Sequence, residues 1–458
     1  MRILLIADSW IMRRRLNTSS PDLDEKVPRS GRRHYVLVCQ ACGSRQEDDG
    51  MILDCDKDHP PALLRTEYDN RRFSPRSECS GIFRYKDWLP VIQAPDNAGR
   101  GTVYRSKGIG DALGLPNLWI AFNGYWPERG ALLETATFKE YEAYTVLGRV
   151  AGRGGILTVA SSGNTGAAFA WGCSRVRQPC LLIVPQKGLG RLKFRAAVEP
   201  CVNLVVIADG DYPDAIELAA AVSRTAPFYP EGGIRNVGRR DGLATVLLSA
   251  FEEMGCLPSH YFQAVGSGTG AIAVLEGARR VCGAIGGGQL PRLVLCQNIP
   301  FTPIYDAWRG RLRQLSNESA ESYRGAVADA FADELTNWKP PYGVRGGVYE
   351  SLVESGGDVM ATDNTSVQKA MDMFRWLEGI DIEPAAGVAV ACLSDAVVQE
   401  KIDQDSVVLL NVTGGGRHRI VMDYPPVQAE PMLRLSRQEL TQEDTVRKLA
   451  ERAERALL

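Results

Sequence analysis

The chain has 458 residues, of which 45% are hydrophobic and 24% are charged, and its formal net charge is -2 at pH 7. This balance is typical of a globular protein with two or three domains. The acidic and basic totals nearly cancel, which argues against nucleic acid as a partner, and no apolar run approaches the length of a membrane span. Most of the eleven cysteines lie in apolar segments, where a reduced thiol acts as a small hydrophobe, so we expect a cytoplasmic protein.

The N-terminal part of the chain divides into two segments. Residues 1–34 are predicted to form a flexible extension with no chemical role, because residues 11–34 mix arginine, serine and proline without periodicity. Residues 35–89 are predicted to form short strands around a Cys-x-x-Cys turn. Thiolates and imidazole are the preferred ligands of tetrahedral zinc, and the pattern C-x2-C-x12-C-x3-H makes a candidate structural zinc site of Cys39, Cys42, Cys55 and His59. The alternative is a metal-free unit stabilised by packing alone.

From about residue 90 onward, apolar runs of strand length alternate with helical segments, a pattern that predicts parallel α/β units. The predicted strands are "GILTVA", "CLLIVP", "VNLVVIA", "HYFQAV", "RLVLCQ" and "SVVLLN". Helices are predicted in segments such as "AIAVLEGARRVCG" and "SVQKAMDMFRWLEG", where apolar residues recur every three or four positions.

Three of these strands end in loops of small residues, namely "SSGNTG" at 161–166, "GSGTG" at 266–270 and "VTGGG" at 412–416. Ligands of open parallel sheets bind at the carboxyl ends of the strands, where glycine permits close approach and helix N termini offer N–H groups to anions. Each loop alone could be only a tight turn or a helix cap. The three together predict one composite site that binds an anion.

In chain order, "ATFKEYEA", "ASSGNTG", "GSGTG" and "VTGGG" resemble the lysine, asparagine, phosphate and C-terminal loops of fold-type II pyridoxal-phosphate enzymes, in their threonine synthase-like group. Longer segments such as "FRYKDWLPV", "AFNGYWPERGA" and "EGGIRNVGRRDG" are similar to the cysteate synthase family in that group, and the resemblance covers roughly residues 35–420.

The resemblance implies two doubly wound α/β domains and a small zinc-ribbon-like N-terminal unit, residues 35–89. We expect a larger cofactor-binding domain formed by residues 90–138 and 256–425. A smaller domain with the asparagine loop is expected at 139–255, and a helical tail at 426–458.

The resemblance also implies the roles of the site residues. Lys139 would bind pyridoxal 5'-phosphate covalently and act as the catalytic base; from the residues alone it could equally be a surface lysine that opens an amphipathic helix. Asn164 would contact the ring hydroxyl of the cofactor and Thr413 its pyridine nitrogen. The cofactor phosphate would be bound by Gly266, Ser267, Gly268, Thr269 and Gly270. The substrate carboxylate would be bound by Ser161, Ser162, Gly163 and Thr165.

Two further features bear on the type of reaction. A threonine cannot protonate the pyridine nitrogen, so Thr413 would weaken the electron sink and favour β-replacement over transamination. The adjacent Arg239 and Arg240 are suited to binding a leaving phosphate or an incoming sulfonate, although arginine pairs are usually surface residues or salt-bridge partners.

The expected reaction joins O-phospho-L-serine and sulfite to give L-cysteate and phosphate, and the resemblance implies a homodimer. One alternative is threonine synthase, or another enzyme that replaces the phosphate of phosphoserine or phosphothreonine with a different nucleophile. Another is a binding protein that kept the fold and lost the chemistry, against which the intact Lys139 and Asn164 argue.

Overall fold

The computed structural model describes residues 33–458 apart from positions 97, 162, 316–322, 324–325, 338–339, 441 and 458. The predicted extension therefore lies outside the described residues up to residue 32. Its last two residues contact the small N-terminal unit, because Arg33 donates a hydrogen bond to Tyr35 Oη (2.9 Å) and His34 Nε2 lies 3.0 Å from Leu89 O. Within the described ranges, no helix is both long enough and apolar enough to span a membrane.

Among the described residues, the larger sheet has six strands, and only one edge strand is antiparallel to its neighbour. In sheet order the strands are Asp358–Thr362, Arg292–Asn298, His260–Ala264, Val408–Val412, Leu118–Phe122 and the antiparallel Thr102–Arg105. Alternate side chains of the central strands enter two apolar clusters, one on each face of the sheet. The first face is covered by the helices Val237–Met254 and Thr269–Ala284, and the second by Asn364–Glu378 and Pro384–Val398.

The smaller sheet has five parallel strands. In sheet order they are Phe228–Pro230, Ile156–Ala160, Cys180–Pro185, Val202–Ile207 and Leu433–Leu435. This sheet is also covered on both faces, by Lys139–Val150 and Asn164–Val176 on one and by Tyr212–Val222 and Glu443–Leu457 on the other.

The predicted α/β fold class and the six strands predicted from apolar runs are confirmed. Two segments differ from the prediction. The C-terminal segment 426–458 contains the helices Arg437–Leu440 and Glu443–Leu457 but also adds the strand Leu433–Leu435 to the smaller sheet. The helix Val237–Met254, assigned to the smaller domain, packs in the core of the larger sheet, because its apolar side chains meet those of the helix Thr269–Ala284.

The remaining elements are short. The small unit is an antiparallel sheet in which Tyr35–Cys39 pairs with Arg45–Gln46 and Leu64–Tyr68. Two further antiparallel pairs are Tyr125–Trp126 with Ala131–Leu132, and Lys193–Phe194 with Val427–Gln428. In the described residues, the other α-helices are Gly108–Leu113, Gln186–Leu189, Pro303–Arg309, Ala326–Asp329, Val348–Glu354 and Arg417–Asp423. The 3-10 helices in the same residues are Gly81–Trp88, Pro127–Arg129, Gly233–Arg235 and Asp333–Leu335.

A buried ion pair joins the small unit to the end of the helix Lys139–Val150. Asp48 accepts two hydrogen bonds from Arg149, through Nε and Nη2, each 2.8 Å long, and neither side chain is exposed. Arg149 also donates to Asn236 Oδ1 and to Ile52 O, both at 2.7 Å. Burial alone would raise the pKa of Asp48, but the hydrogen bonds and charge of Arg149 hold it below its usual value. The small unit therefore fixes the position of this helix.

Candidate active site

A cavity of about 140 Å³ lies where the carboxyl ends of strands from both sheets meet. Most residues that the sequence analysis assigned to the site line this cavity, namely Lys139, Ser161, Gly163, Asn164, Thr165, Arg239, Gly266, Ser267, Gly268, Thr269, Gly270 and Thr413. Ser162 lies outside the described residues. The structure thus brings the glycine-rich loops, the lysine and one arginine to a single place.

Lys139 begins the helix Lys139–Val150, so its side chain leaves the helix at the cavity. Its Nζ donates a hydrogen bond to Glu142 Oε2, one turn further along the helix, over 3.4 Å. The ammonium also lies 5.0 Å from the centre of the Phe138 ring, and 21% of the side chain is exposed. Lys139 is therefore largely enclosed but reachable from the cavity.

The loop 266–270 leads from the strand His260–Ala264 into the 16-residue helix Thr269–Ala284. Gly268 has φ 77°, and a Cβ there would stand 2.3 Å from Val348 Cγ2, so only glycine fits. A Cβ on Gly266 would stand 2.8 Å from Leu335 O. N–H groups at the start of a long helix, in a loop whose glycine positions have no room for a side chain, fit the phosphate of pyridoxal phosphate.

The asparagine loop is organised by Ser161, which is buried. Its Oγ accepts hydrogen bonds from the N–H groups of Gly163 (3.2 Å) and Gly166 (2.8 Å), and so holds the start of the helix Asn164–Val176. Asn164 Nδ2 donates to Glu383 Oε2 over 2.8 Å, and its Oδ1 accepts from Arg417 over 3.0 Å. The amide that the sequence analysis assigned to the cofactor ring is thus bonded to two residues near the larger sheet in this structure.

Thr413 follows the central strand Val408–Val412 and is buried at the cavity. Its carbonyl accepts the N–H of Phe138 over 3.0 Å, so the end of this strand is tied to the residue before Lys139. The strand end and the lysine are therefore held in a fixed relation by the backbone.

Arg239 lines the cavity, and its guanidinium is held by two carboxylates. It forms a two-point hydrogen bond with Glu231, in which Nη2 lies 2.8 Å from Oε2, and its Nη1 lies 3.4 Å from Glu142 Oε1. Burial opposes the charge of Arg239, but Glu142 and Glu231 outweigh it and raise the pKa of this group. Arg239 therefore carries a permanent positive charge beside the cavity.

Arg240 does not belong to this site, so its predicted role in binding substrate is wrong. Its side chain is fully buried on another side of the helix Val237–Met254, and it is not among the described residues that line the cavity. Its guanidinium donates to Leu64 O and Ile234 O, and its Nε lies 3.3 Å from Glu276 Oε2. Consecutive helical residues point about 100° apart, so only one of two adjacent arginines can face the cavity.

Two carboxylates in or beside the site are not predicted from the sequence. Glu142 follows Lys139 by three positions, and this spacing on a helix could have revealed it. Glu334 lines the cavity from the 3-10 helix Asp333–Leu335, and no motif marks it. Burial, and then the charge of Glu383, raise the pKa of Glu334 to about 7 against the pull of Arg191.

The four residues predicted to bind zinc also come together in the small unit. One ligand atom from each of Cys39, Cys42, Cys55 and His59 lies within 4.8 Å of the others. His59 Nδ1 donates to Pro60 O over 2.7 Å, which leaves Nε2, 3.3 Å from Cys39 Sγ, free to bind a metal. Backbone N–H groups of Ala41 and Lys57 point to two of the sulfur atoms. The donor set fits tetrahedral zinc.

Residues 104–414 match the protein family described as pyridoxal-phosphate dependent enzyme. Over 399 residues the chain is 45% identical to "Cysteate synthase" of Methanothrix thermoacetophila, a match that covers 86% of this chain and 94% of the relative. Over 396 residues it is 44% identical to the protein of the same name from Methanosphaerula palustris, covering 85% and 92%.

Solved structures confirm the fold at low sequence identity. A pyridoxal 5'-phosphate-dependent aspartate racemase superposes with a TM-score of 0.53 at 17% identity, covering 69% of this chain and 90% of the racemase. The processed threonine deaminase isoform 2 of Solanum lycopersicum gives 0.54 at 15% identity, covering 80% and 98%. The chain is therefore a pyridoxal-phosphate-dependent enzyme that belongs to the cysteate synthase family.

Proposed function

We propose that the chain catalyses a β-replacement in which O-phospho-L-serine and sulfite give L-cysteate and phosphate. The names of its relatives support the product. The observation that carries the chemistry is the convergence of Lys139 and the glycine-rich loop 266–270 on one cavity. When bound there, pyridoxal phosphate supplies stabilisation of the negative charge that forms on the substrate Cα.

Residues of the chain transfer the proton and bind the cofactor. Lys139 takes the Cα proton while phosphate leaves from Cβ, and returns a proton to Cα after sulfite has formed the C–S bond. One base serves both steps because it is tethered beside the reacting carbon. The N–H groups of the loop 266–270 bind the cofactor phosphate, and Asn164 and Thr413 contact its ring.

Other residues that line the cavity bind the substrate. The start of the helix Asn164–Val176, where Asn164 and Thr165 line the cavity, offers backbone N–H groups to the substrate carboxylate. Arg239 supplies the positive charge for the anionic group at Cβ, first the leaving phosphate and then sulfite. Both substrates are small molecules, and each carries negative charge that Arg239 and the start of the helix Asn164–Val176 can bind.

A product assay tests the proposal. Enzyme loaded with pyridoxal phosphate would receive phosphoserine with sulfite, with sulfide or with neither, and cysteate, cysteine and pyruvate would be separated and quantified. We expect cysteate as the main product, and neither turnover nor the absorbance of lysine-bound cofactor in the Lys139→Ala variant. If cysteine is the main product when sulfide and sulfite are present at equal concentrations, sulfide is the nucleophile. If pyruvate is the main product, the enzyme is a lyase.

We also propose that Cys39, Cys42, Cys55 and His59 bind one zinc ion with a structural role. Three thiolates and one imidazole fill a tetrahedral shell, which leaves no open position for catalysis. Elemental analysis of the purified protein should give one zinc per chain, and Cys42→Ser should lose it. Cys79→Ser is the matched control, since Cys79 is a free thiol outside the cluster. Substoichiometric zinc in wild type, together with a stable Cys42→Ser variant, would reject the site.

The family resemblance implies the assembly, and the cysteines indicate the location. We propose a homodimer in the cytoplasm, where the eleven free thiols remain reduced. Sedimentation velocity of the cofactor-loaded enzyme measures the mass of the assembly directly. A single species with the mass of one chain at micromolar concentration would contradict the dimer.

A further inference from the structure

Glu142 is a fully buried carboxylate that contacts three residues lining the cavity, and the reaction described above gives it no role. Its side chain has no exposed surface. Its Oε2 accepts a hydrogen bond from Lys139 Nζ over 3.4 Å. Its Oε1 accepts one from Thr165 Oγ1 over 2.9 Å and lies 3.4 Å from Arg239 Nη1.

These three partners come from three different helices. Lys139 and Glu142 share the helix Lys139–Val150, Thr165 lies in the first turn of Asn164–Val176, and Arg239 in the first turn of Val237–Met254. A buried carboxylate is costly unless charges and hydrogen bonds compensate it, and here both oxygens are engaged. Glu142 therefore joins Lys139, the asparagine loop and Arg239.

We propose that Glu142 is the positioning residue for Lys139, Thr165 and Arg239, and the counter-ion of Lys139 when that amine carries the substrate proton. This role rests on the proposed β-replacement. In the first proton step the Cα–H bond breaks, its electron pair stays with the carbon, and the proton goes to Nζ. Glu142 remains a carboxylate and stabilises the ammonium. After the C–S bond has formed, the proton passes from Nζ back to Cα, and Glu142 is unchanged.

The same contacts explain how Arg239 is directed at the cavity. Glu231 occupies Nε and Nη2 of Arg239, and Glu142 lies beside the remaining nitrogen, Nη1. A neutral side chain in place of Glu142 would leave that end of the guanidinium without its second charge partner. We therefore expect loss of Glu142 to affect the use of anionic substrates as well as the proton steps.

The kinetic test compares Glu142→Gln, Glu142→Asp and Glu140→Gln. Gln keeps the size and the acceptor for Thr165 but cannot pair with a cation, whereas Asp keeps the charge on a shorter stem. Glu140→Gln is the matched control, because Glu140 is buried on the same helix but bonds to Thr135. We expect kcat to fall about 10- to 100-fold in Glu142→Gln, the range of a lost charge-assisted hydrogen bond, with partial recovery in Glu142→Asp. We expect no comparable fall in the control.

A second measurement needs neither cofactor nor turnover. In the cofactor-free protein, acetylation of Lys139 by acetic anhydride can be followed by mass spectrometry of its peptide. An ammonium that is hydrogen-bonded to a carboxylate is a poor nucleophile, so we expect labelling several-fold faster in Glu142→Gln than in wild type or Glu140→Gln. Melting curves show which variants are folded, and Glu142→Asp carries the same comparison if Glu142→Gln does not fold.

The proposal would be overturned if the folded Glu142 variants showed two results together. Lys139 would be labelled at the wild-type rate, and kcat would lie within about twofold of wild type. Its failure is distinguishable from failure of the proposed function. If wild type makes no cysteate but Lys139 labelling still depends on Glu142, then the reaction is misassigned and the pairing of the two residues stands.

Discussion

Glu140 provides a sharp test of how burial acts on a charge in this fold. It is 1% exposed, and its Oε1 accepts hydrogen bonds from the N–H and, over 2.9 Å, from the hydroxyl of Thr135. Burial raises the pKa of Glu140 to about 8, Glu134 raises it further, and the Thr135 bonds and Arg195 only partly oppose this. Glu140 is therefore a neutral carboxylic acid in the folded protein at neutral pH, whereas in the unfolded chain it is ionised.

The sign and size of the effect on stability follow from this difference. The folded pKa lies above the unfolded value, so the contribution of Glu140 is complete below about pH 4.5 and is lost as the pH rises toward 8. A rise from 4.5 to about 8 corresponds to at most about 5 kcal/mol, at about 1.4 kcal/mol for each pKa step of one. Glu140→Gln keeps the shape and the acceptor oxygen but does not titrate.

We therefore expect Glu140→Gln to match wild type within about 1 kcal/mol near pH 5 and to exceed its free energy of unfolding by a few kcal/mol near pH 8. Urea denaturation of the cofactor-free proteins at both pH values, followed by circular dichroism, measures this. Glu217→Gln, an exposed substitution on the helix Tyr212–Val222, should differ from wild type equally at both. A Glu140→Gln difference that does not change with pH, or that favours wild type near pH 8, would refute the reasoning.

Three further predictions concern other contacts. Asp48→Asn should lower the free energy of unfolding by about 3 to 5 kcal/mol in urea denaturation, because it leaves the guanidinium of Arg149 buried without its counter-charge. Gly268→Ala should weaken pyridoxal phosphate binding at least about 10-fold in a fluorescence titration, whereas Gly114→Ala, with φ 66° and no atom within 4 Å of its Cβ, should not. Arg240→Ala should reduce stability but leave KM for phosphoserine within about twofold of wild type, because this side chain bonds the small unit.

The elements that carry the site could be predicted because their signals are local. An apolar run followed by "SSGNTG" or "GSGTG" encodes a buried strand, a tight turn and a helix start within some fifteen residues, and the structure has these elements there. Parallel strands place such turns at one edge of a sheet, but these two loops end strands of different sheets, so their convergence on one cavity depends on how the two sheets pack. The short strand Leu433–Leu435 could not be predicted in this way, because three residues show no clear period.

The partners of the site residues depend on contacts between distant segments. Asn164 is bonded to Glu383 and Arg417, more than two hundred positions away, and nothing in their sequence neighbourhoods pairs them. The choice between Arg239 and Arg240 depends on the rotation of the helix Val237–Met254 about its axis. That rotation is set by packing against the helix Thr269–Ala284. The residue types alone do not show this packing.

The small N-terminal unit contacts the helix that Lys139 begins and the helix that carries Arg239, and both of these side chains line the cavity. Asp48 holds Arg149 at the end of the helix that Lys139 begins. In the strand Leu64–Tyr68, the Leu64 carbonyl accepts a hydrogen bond from Arg240. The hydroxyls of Thr66 and Tyr68 in the same strand donate to Asp241 over 2.7 and 2.6 Å. Arg240 and Asp241 directly follow Arg239, whose guanidinium faces the other way. Because these contacts are buried and charged, they tie the small unit to the helix that Lys139 begins and to the helix that carries Arg239, the two helices that Glu142 bridges.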